Sequence, residues 1–85
     1  MRVEMELRNL KLFRLMEYLV EAGGETVSER SVQGQGWRAE IVPQPPVQLK
    51  LMTIPCDILV IEGEDEAAVD QAVRFMRFKT MRGGG

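Results

Sequence analysis

Four groups of residues could carry chemistry. The chain closes on Lys79-Thr80-Met81-Arg82-Gly83-Gly84-Gly85. A bare glycine tail suits a carrier protein, because an activating enzyme must thread that tail to an adenylation site and glycine has no side chain to obstruct it. Gly34-Gln35-Gly36-Trp37-Arg38-Ala39 spells the G-x-G-x-x-A dinucleotide fingerprint. Cys56 is the only thiol, and Glu4, Glu6, Glu40, Asp57 and Glu62 are carboxylates that could pair for acid–base work. No histidine is present, which removes the usual general base near neutral pH and the commonest metal ligand.

Each group has a plain structural reading beside it. The fingerprint requires a strand before it and a helix after it, so that phosphate meets a helix N-terminus. The chain instead continues as AEIVP, a strand pattern, so the letters alone match. Cys56 stands next to Asp57, whose charge opposes a reactive thiolate. One cysteine also cannot build a disulfide or a thiolate zinc site. Alternation places Glu4 and Glu6 on a solvent face. No catalytic, metal-binding or cofactor-binding residue is expected, and the protein is not expected to be an enzyme. The glycine tail leaves one alternative, a C-terminally activated ubiquitin-like or sulfur-carrier protein with Gly84 and Gly85 as its working end. Carriers of that kind reach their glycines from a final strand, whereas DEAAVDQAVRFMRFKTM is a helical pattern.

The elements that position these groups are set by periodicity. Val3, Met5 and Leu7 alternate with Arg2, Glu4, Glu6 and Arg8, as in a strand with one wet face. Asn9 is the expected N-cap of a helix over Leu10–Ala22. Its apolar stripe is Leu12, Leu15, Met16 and Leu19, widened by Phe13 and Val20 and ended by Gly23-Gly24. ETVSERSV suits one exposed edge strand, and Trp37-Arg38-Ala39-Glu40-Ile41-Val42 its hairpin partner across Gln33–Gly36. Pro43-Gln44-Pro45-Pro46 is expected as a stiff connection to a strand VQLKLMT. Pro55 then precedes a central strand, DILVIE. Glu64–Met81 reads as the last helix, with Val69, Ala72, Val73 and Met76 inward and Phe75 beside them.

The chain has 85 residues, 45% of them hydrophobic and 28% charged, enough for one folded domain. A single α+β domain over residues 1–82 is expected, with 83–85 as a flexible glycine tail. The order β-α-β-β-β-β-α is similar to the TATA-binding-protein-like arrangement, a mostly antiparallel sheet with both helices on one face. A ferredoxin-like order is the alternative. The stretches QGQGWRAEIVPQPPVQLKL and IEGEDEAAVDQAVRFM resemble a small domain of unassigned function, found at the C-terminal side of bacterial proteins related to the small subunit of molybdopterin synthase. That resemblance implies the fold and brings no site residues with it.

Charge completes the expectation. Residues 1–70 hold seven Lys/Arg and thirteen Asp/Glu, whereas 71–85 hold Arg74, Arg77, Lys79 and Arg82 and no acid. Acids at the start of the last helix and bases at its end complement the macrodipole, so the basic tail does not require nucleic acid, which is not an expected partner. No apolar run can span a bilayer and no leader opens the chain, so a cytoplasmic protein with no membrane contact is expected. Its function is then that of a small binding or interaction module, self-associating or joined to a protein partner. The expected surface includes Trp37, Met52 and Val27, with the edge around ETVSERSV free to pair with a second copy.

Overall fold

The computed structural model describes residues 1–83. The chain folds in the order β1 (Arg2–Arg8), α1 (Leu12–Glu21), β2 (Glu25–Ser28), β3 (Ser31–Gln33), β4 (Arg38–Leu49), β5 (Met52–Glu62), α2 (Glu66–Gly83). This is the expected α+β order. All four strand pairings are antiparallel, in the spatial order β1-β5-β4-β3-β2. Both helices cover one face of this sheet. Met5 and Leu7 of β1, Ala39 and Ile41 of β4, and Leu59 and Ile61 of β5 meet Leu15, Leu19, Val69 and Met76 in a single core. The opposite face is open.

Helix α1 starts later than expected. Lys11 is its N-cap and supplies no side-chain bond, while Asn9 adopts a left-handed φ of 59°. Asn9 therefore turns the chain between β1 and α1, a role its short polar side chain tolerates. Phe13 and Val20 lie outside the buried stripe, 59% and 46% exposed, and the Arg14 guanidinium rests 5.4 Å from the Phe13 ring centre. At the other end Gly23 takes φ 107°. Its N–H donates to Val20 and that of Gly24 to Leu19, the paired bonds of a Schellman turn.

The four middle strands differ from their expected bounds. ETVSERSV is two strands, β2 and β3, folded into a hairpin at Glu29-Arg30, with a bulge between Thr26 and Ser28. The two segments either side of Pro43–Pro46 are one strand, β4, and Pro55 lies inside β5. The prolines fit because of where the neighbours stop. β3 pairs with β4 only as far as Ser31 opposite Glu40, with one further bond from the Ile41 N–H to the Arg30 carbonyl. Beyond that point no strand among the described residues pairs with this side of β4, and a missing N–H there costs nothing. Pro45 and Pro46 also fall in the irregularity between Gln44 opposite Cys56 and Val47 opposite Ile54, facing Pro55. The ladder is already broken there.

Helix α2 begins behind Asp65, whose Oδ1 accepts the N–H groups of Ala67 and Ala68 at 3.1 and 3.2 Å. It buries Val69, Ala72, Val73 and Met76 as expected, with Phe75 partly buried beside them.

Candidate functional site

The carboxylates separate onto two faces. Glu4, Glu6, Glu40 and Glu62 lie along the open face, interleaved with Arg2, Arg8 and Arg38. Arg2 lies 3.2 Å from Glu4 and 3.5 Å from Glu62, Arg38 lies 3.3 Å from Glu62, and Arg8 lies 2.9 Å from Glu6. The hydrogen bond and charge of Glu6, with a lesser contribution from Cys56, push the Arg8 guanidinium above its already high ordinary value. Arg8 therefore stays cationic at any working pH. Asp57 lies on the other face, 3.7 Å from Arg30. Glu4, Glu6, Asp57 and Glu62 are thus each held in an ion pair with arginine. Among the described residues no three His, Cys, Asp or Glu side chains come close enough to hold a metal ion.

Cys56 is buried on the open-face side of β5, with its sulfur 4.0 Å from Glu6. Gly34 and Gly36 form the β3–β4 turn, closed by the Gly34 N–H donating to the Trp37 carbonyl at 2.9 Å. Strand β4, not a helix, comes directly after them. The helix start that packs against Gly36 is that of α2, where Asp65 already accepts the Ala67 and Ala68 N–H groups.

The three surface candidates are dispersed. Trp37 is a core residue, 7% exposed, and its rim reaches the floor of a shallow cleft beside Ala22 and Phe75. Val27 is 63% exposed and borders a depression of about 250 Å³ on the open face. Arg2, Arg38, Val42, Val60 and Glu62 are among the other residues that line it. Arg2 and Arg38 both reach Glu62 on this face, and Val60, between Glu4 and Glu40, is buried there.

Met52 belongs to a different feature. β1 pairs with β5 only to Cys56, and β3 leaves β4 before Pro43. Residues 44–55 therefore project as a ribbon of two strands, and the molecule measures 43 × 24 × 20 Å. The ribbon turns at Lys50, which takes φ 38°, and its tip presents Leu49, Leu51 and Met52, 50%, 100% and 62% exposed. Sequence reasoning named Met52 as a surface candidate, but expected no ribbon and did not single out Leu49 and Leu51. The signal was available: between Pro43 and Cys56, Lys50 is the only charged residue.

Two of the basic residues near the end of the chain are engaged within the fold. Lys79 lies 3.2 Å from Glu21 of α1 and 5.5 and 5.7 Å from the ring centres of Tyr18 and Phe75. Arg74 pairs with Asp70 one turn earlier at 2.9 Å. Gly84 and Gly85, the residues of the carrier alternative, lie outside the described residues. No helix among the described residues is long and apolar enough to cross a membrane.

In comparisons with known proteins, no curated protein matches the chain. The sequence profile of the archaeal MoaD-like protein family matches residues 3–85, from the first strand through the last glycine. A match over nearly the whole chain establishes membership: this chain belongs to the archaeal MoaD-like protein family.

Proposed function

We propose that the protein is a non-catalytic binding module whose contact surface is the apolar tip of the β4–β5 ribbon. One observation carries this reading: Leu49, Leu51 and Met52 are exposed together at the end of a projecting ribbon with a single charge. A two-stranded ribbon without a third strand or a covering helix is marginal in water. Apolar side chains gathered on such an arm mark an interaction site. The occupant that fits is a protein with an apolar pocket, in which Leu51 would serve as the buried anchor. A soluble, cytoplasmic setting accords with this reading.

Family membership favours a second reading, a carrier activated at Gly85 and tied to sulfur or molybdopterin chemistry. Helix α2 weighs against it. The helix runs through Gly83, whereas carriers of that kind present their glycine pair from a strand.

Native mass spectra of the untagged protein from its own cells separate the two. The binding module is expected to show an unmodified C-terminus and a second protein in non-covalent complex. That complex should be lost in the Leu51→Lys, Met52→Lys double variant. A thiocarboxylate or adenylate at Gly85, with no complex sensitive to the ribbon, would establish the carrier instead.

A further inference from the structure

The sheet has two edges, and they differ as templates. β2 is four residues long, fully exposed and bulged between Thr26 and Ser28. β1 is seven residues long and unbulged, with β5 on one side and, among the described residues, no strand on the other. Its pleat is fixed by its ends. The N-terminal amine donates to the Gly63 carbonyl at 2.9 Å, the Gly63 N–H donates to the Met1 carbonyl at 3.1 Å, and the Asn9 N–H donates to the Pro55 carbonyl at 2.9 Å. Odd-numbered residues thus bond to β5, and Arg2, Glu4, Glu6 and Arg8 direct their backbone groups outward. Uncovered edges of this kind are where another strand adds.

We propose that a second copy of this chain pairs along that edge, β1 against β1 and antiparallel, with Arg2 of each copy opposite Glu6 of the other. Charge complementarity selects the occupant, and the apolar residues on the other face select the register. Full overlap would set Arg2 against Arg8 and Glu4 against Glu6, and like charges directly opposite oppose pairing. Displacement by two residues converts this into two reciprocal Arg2–Glu6 pairs around a single facing Glu4–Glu4 pair, so attractive pairs outnumber the repulsive one, and keeps every facing backbone group on an outward position. The same displacement sets half-buried Val3 beside Met5 and half-exposed Met1 beside Leu7 on the helix-covered face. Displacement the other way has an equivalent charge pattern, with Glu4 opposite Arg8 around a facing Glu6 pair, but would put Val3 beside polar Asn9. The result is one continuous ten-stranded sheet with closed two-fold symmetry. It rests on the binding-module reading in taking the chain to work by association, but uses a surface separate from the ribbon.

The test is the mass of the untagged chain by light scattering across a dilution series. Wild type is expected to be a dimer that dissociates on dilution. Glu6→Pro removes an outward N–H and no bond to β5, so it should stay folded by circular dichroism and weaken the dimer about tenfold or more. Glu6→Arg should weaken it without touching the backbone, and Arg2→Glu with Glu6→Arg should restore it. A monomer at every concentration would overturn the proposal and assign the charges to guarding the edge. So would a dimer that neither Glu6 variant weakens. Neither result bears on the ribbon complex, which is read as a mass of a different protein.

Discussion

Gly34 lies directly under the Trp37 indole. Its N–H closes the β3–β4 turn on the Trp37 carbonyl at 2.9 Å, and a Cβ added at Gly34 would overlap the ring. The glycine that imitates a phosphate-binding motif in the sequence is there to seat a tryptophan. Gly34→Ala must displace the ring or the turn and is expected to cost about 1–3 kcal/mol, the range for overpacking. Trp37→Ala should cost more, about 3–5 kcal/mol, as emptied aromatic core sites do. Denaturant unfolding measures both, and Trp37 fluorescence should shift in Gly34→Ala.

Arg30 and Asp57 tie the β2–β3 hairpin to β5 across β4 at 3.7 Å, and one nitrogen of Arg30, Nη1, is buried without a hydrogen bond. Asp57→Ala would leave that nitrogen without its counter-charge. The expected loss is about 1–2 kcal/mol, since an unsatisfied buried group bears its desolvation alone. Adding Arg30→Ala should cost little more, and a double-mutant cycle reads the coupling.

Asp65 caps α2 through Ala67 and Ala68. Asp65→Ala is expected to lower stability by about 1 kcal/mol. Asp65→Asn keeps an acceptor and should lose only the charge's interaction with the helix end, about 0.3–1 kcal/mol. Thermal unfolding of the two variants distinguishes cap from charge.

Leu51 is fully exposed and Met52 mostly so. Replacing either by serine is expected to change stability by less than about 0.5 kcal/mol, because neither packs on the core. The same variants should be more soluble than wild type. A large destabilisation in chemical unfolding would mean that the ribbon tip supports the fold rather than a partner.

Strand β1 and the buried faces of both helices were legible because periodicity alone sets them: Val3, Met5 and Leu7 had to share a face, as did Val69, Val73 and Met76. The middle strands were harder to place. Glu29-Arg30 turns the chain without a glycine, proline or asparagine to announce it. Pro43, Pro45, Pro46 and Pro55 read as breaks because a proline in a paired strand forfeits a bond. Only the place where β3 leaves β4, beside Arg30, shows that Pro43 falls on a side of β4 without a paired strand among the described residues. Only the register shows that Pro45 and Pro46 meet Pro55 where the ladder is already broken. The ribbon itself was written in composition, as a run from Pro43 to Cys56 with one charge. Trp37 shares a face with Ala39 and Ile41 in the alternation, which favours core packing, and it was also a candidate contact near a strand end; the structure buries it over Gly34.

The central claim is that this chain works through its ribbon and not through its terminal glycines. The most direct measurement compares two variants in the cells that make the protein, recording the native complex by mass spectrometry. Deleting Gly84 and Gly85 should leave the complex intact, and Leu51→Lys with Met52→Lys should dissolve it. The reverse pattern, loss with the glycines and survival of the ribbon variant, would contradict the account and make the tail the working part.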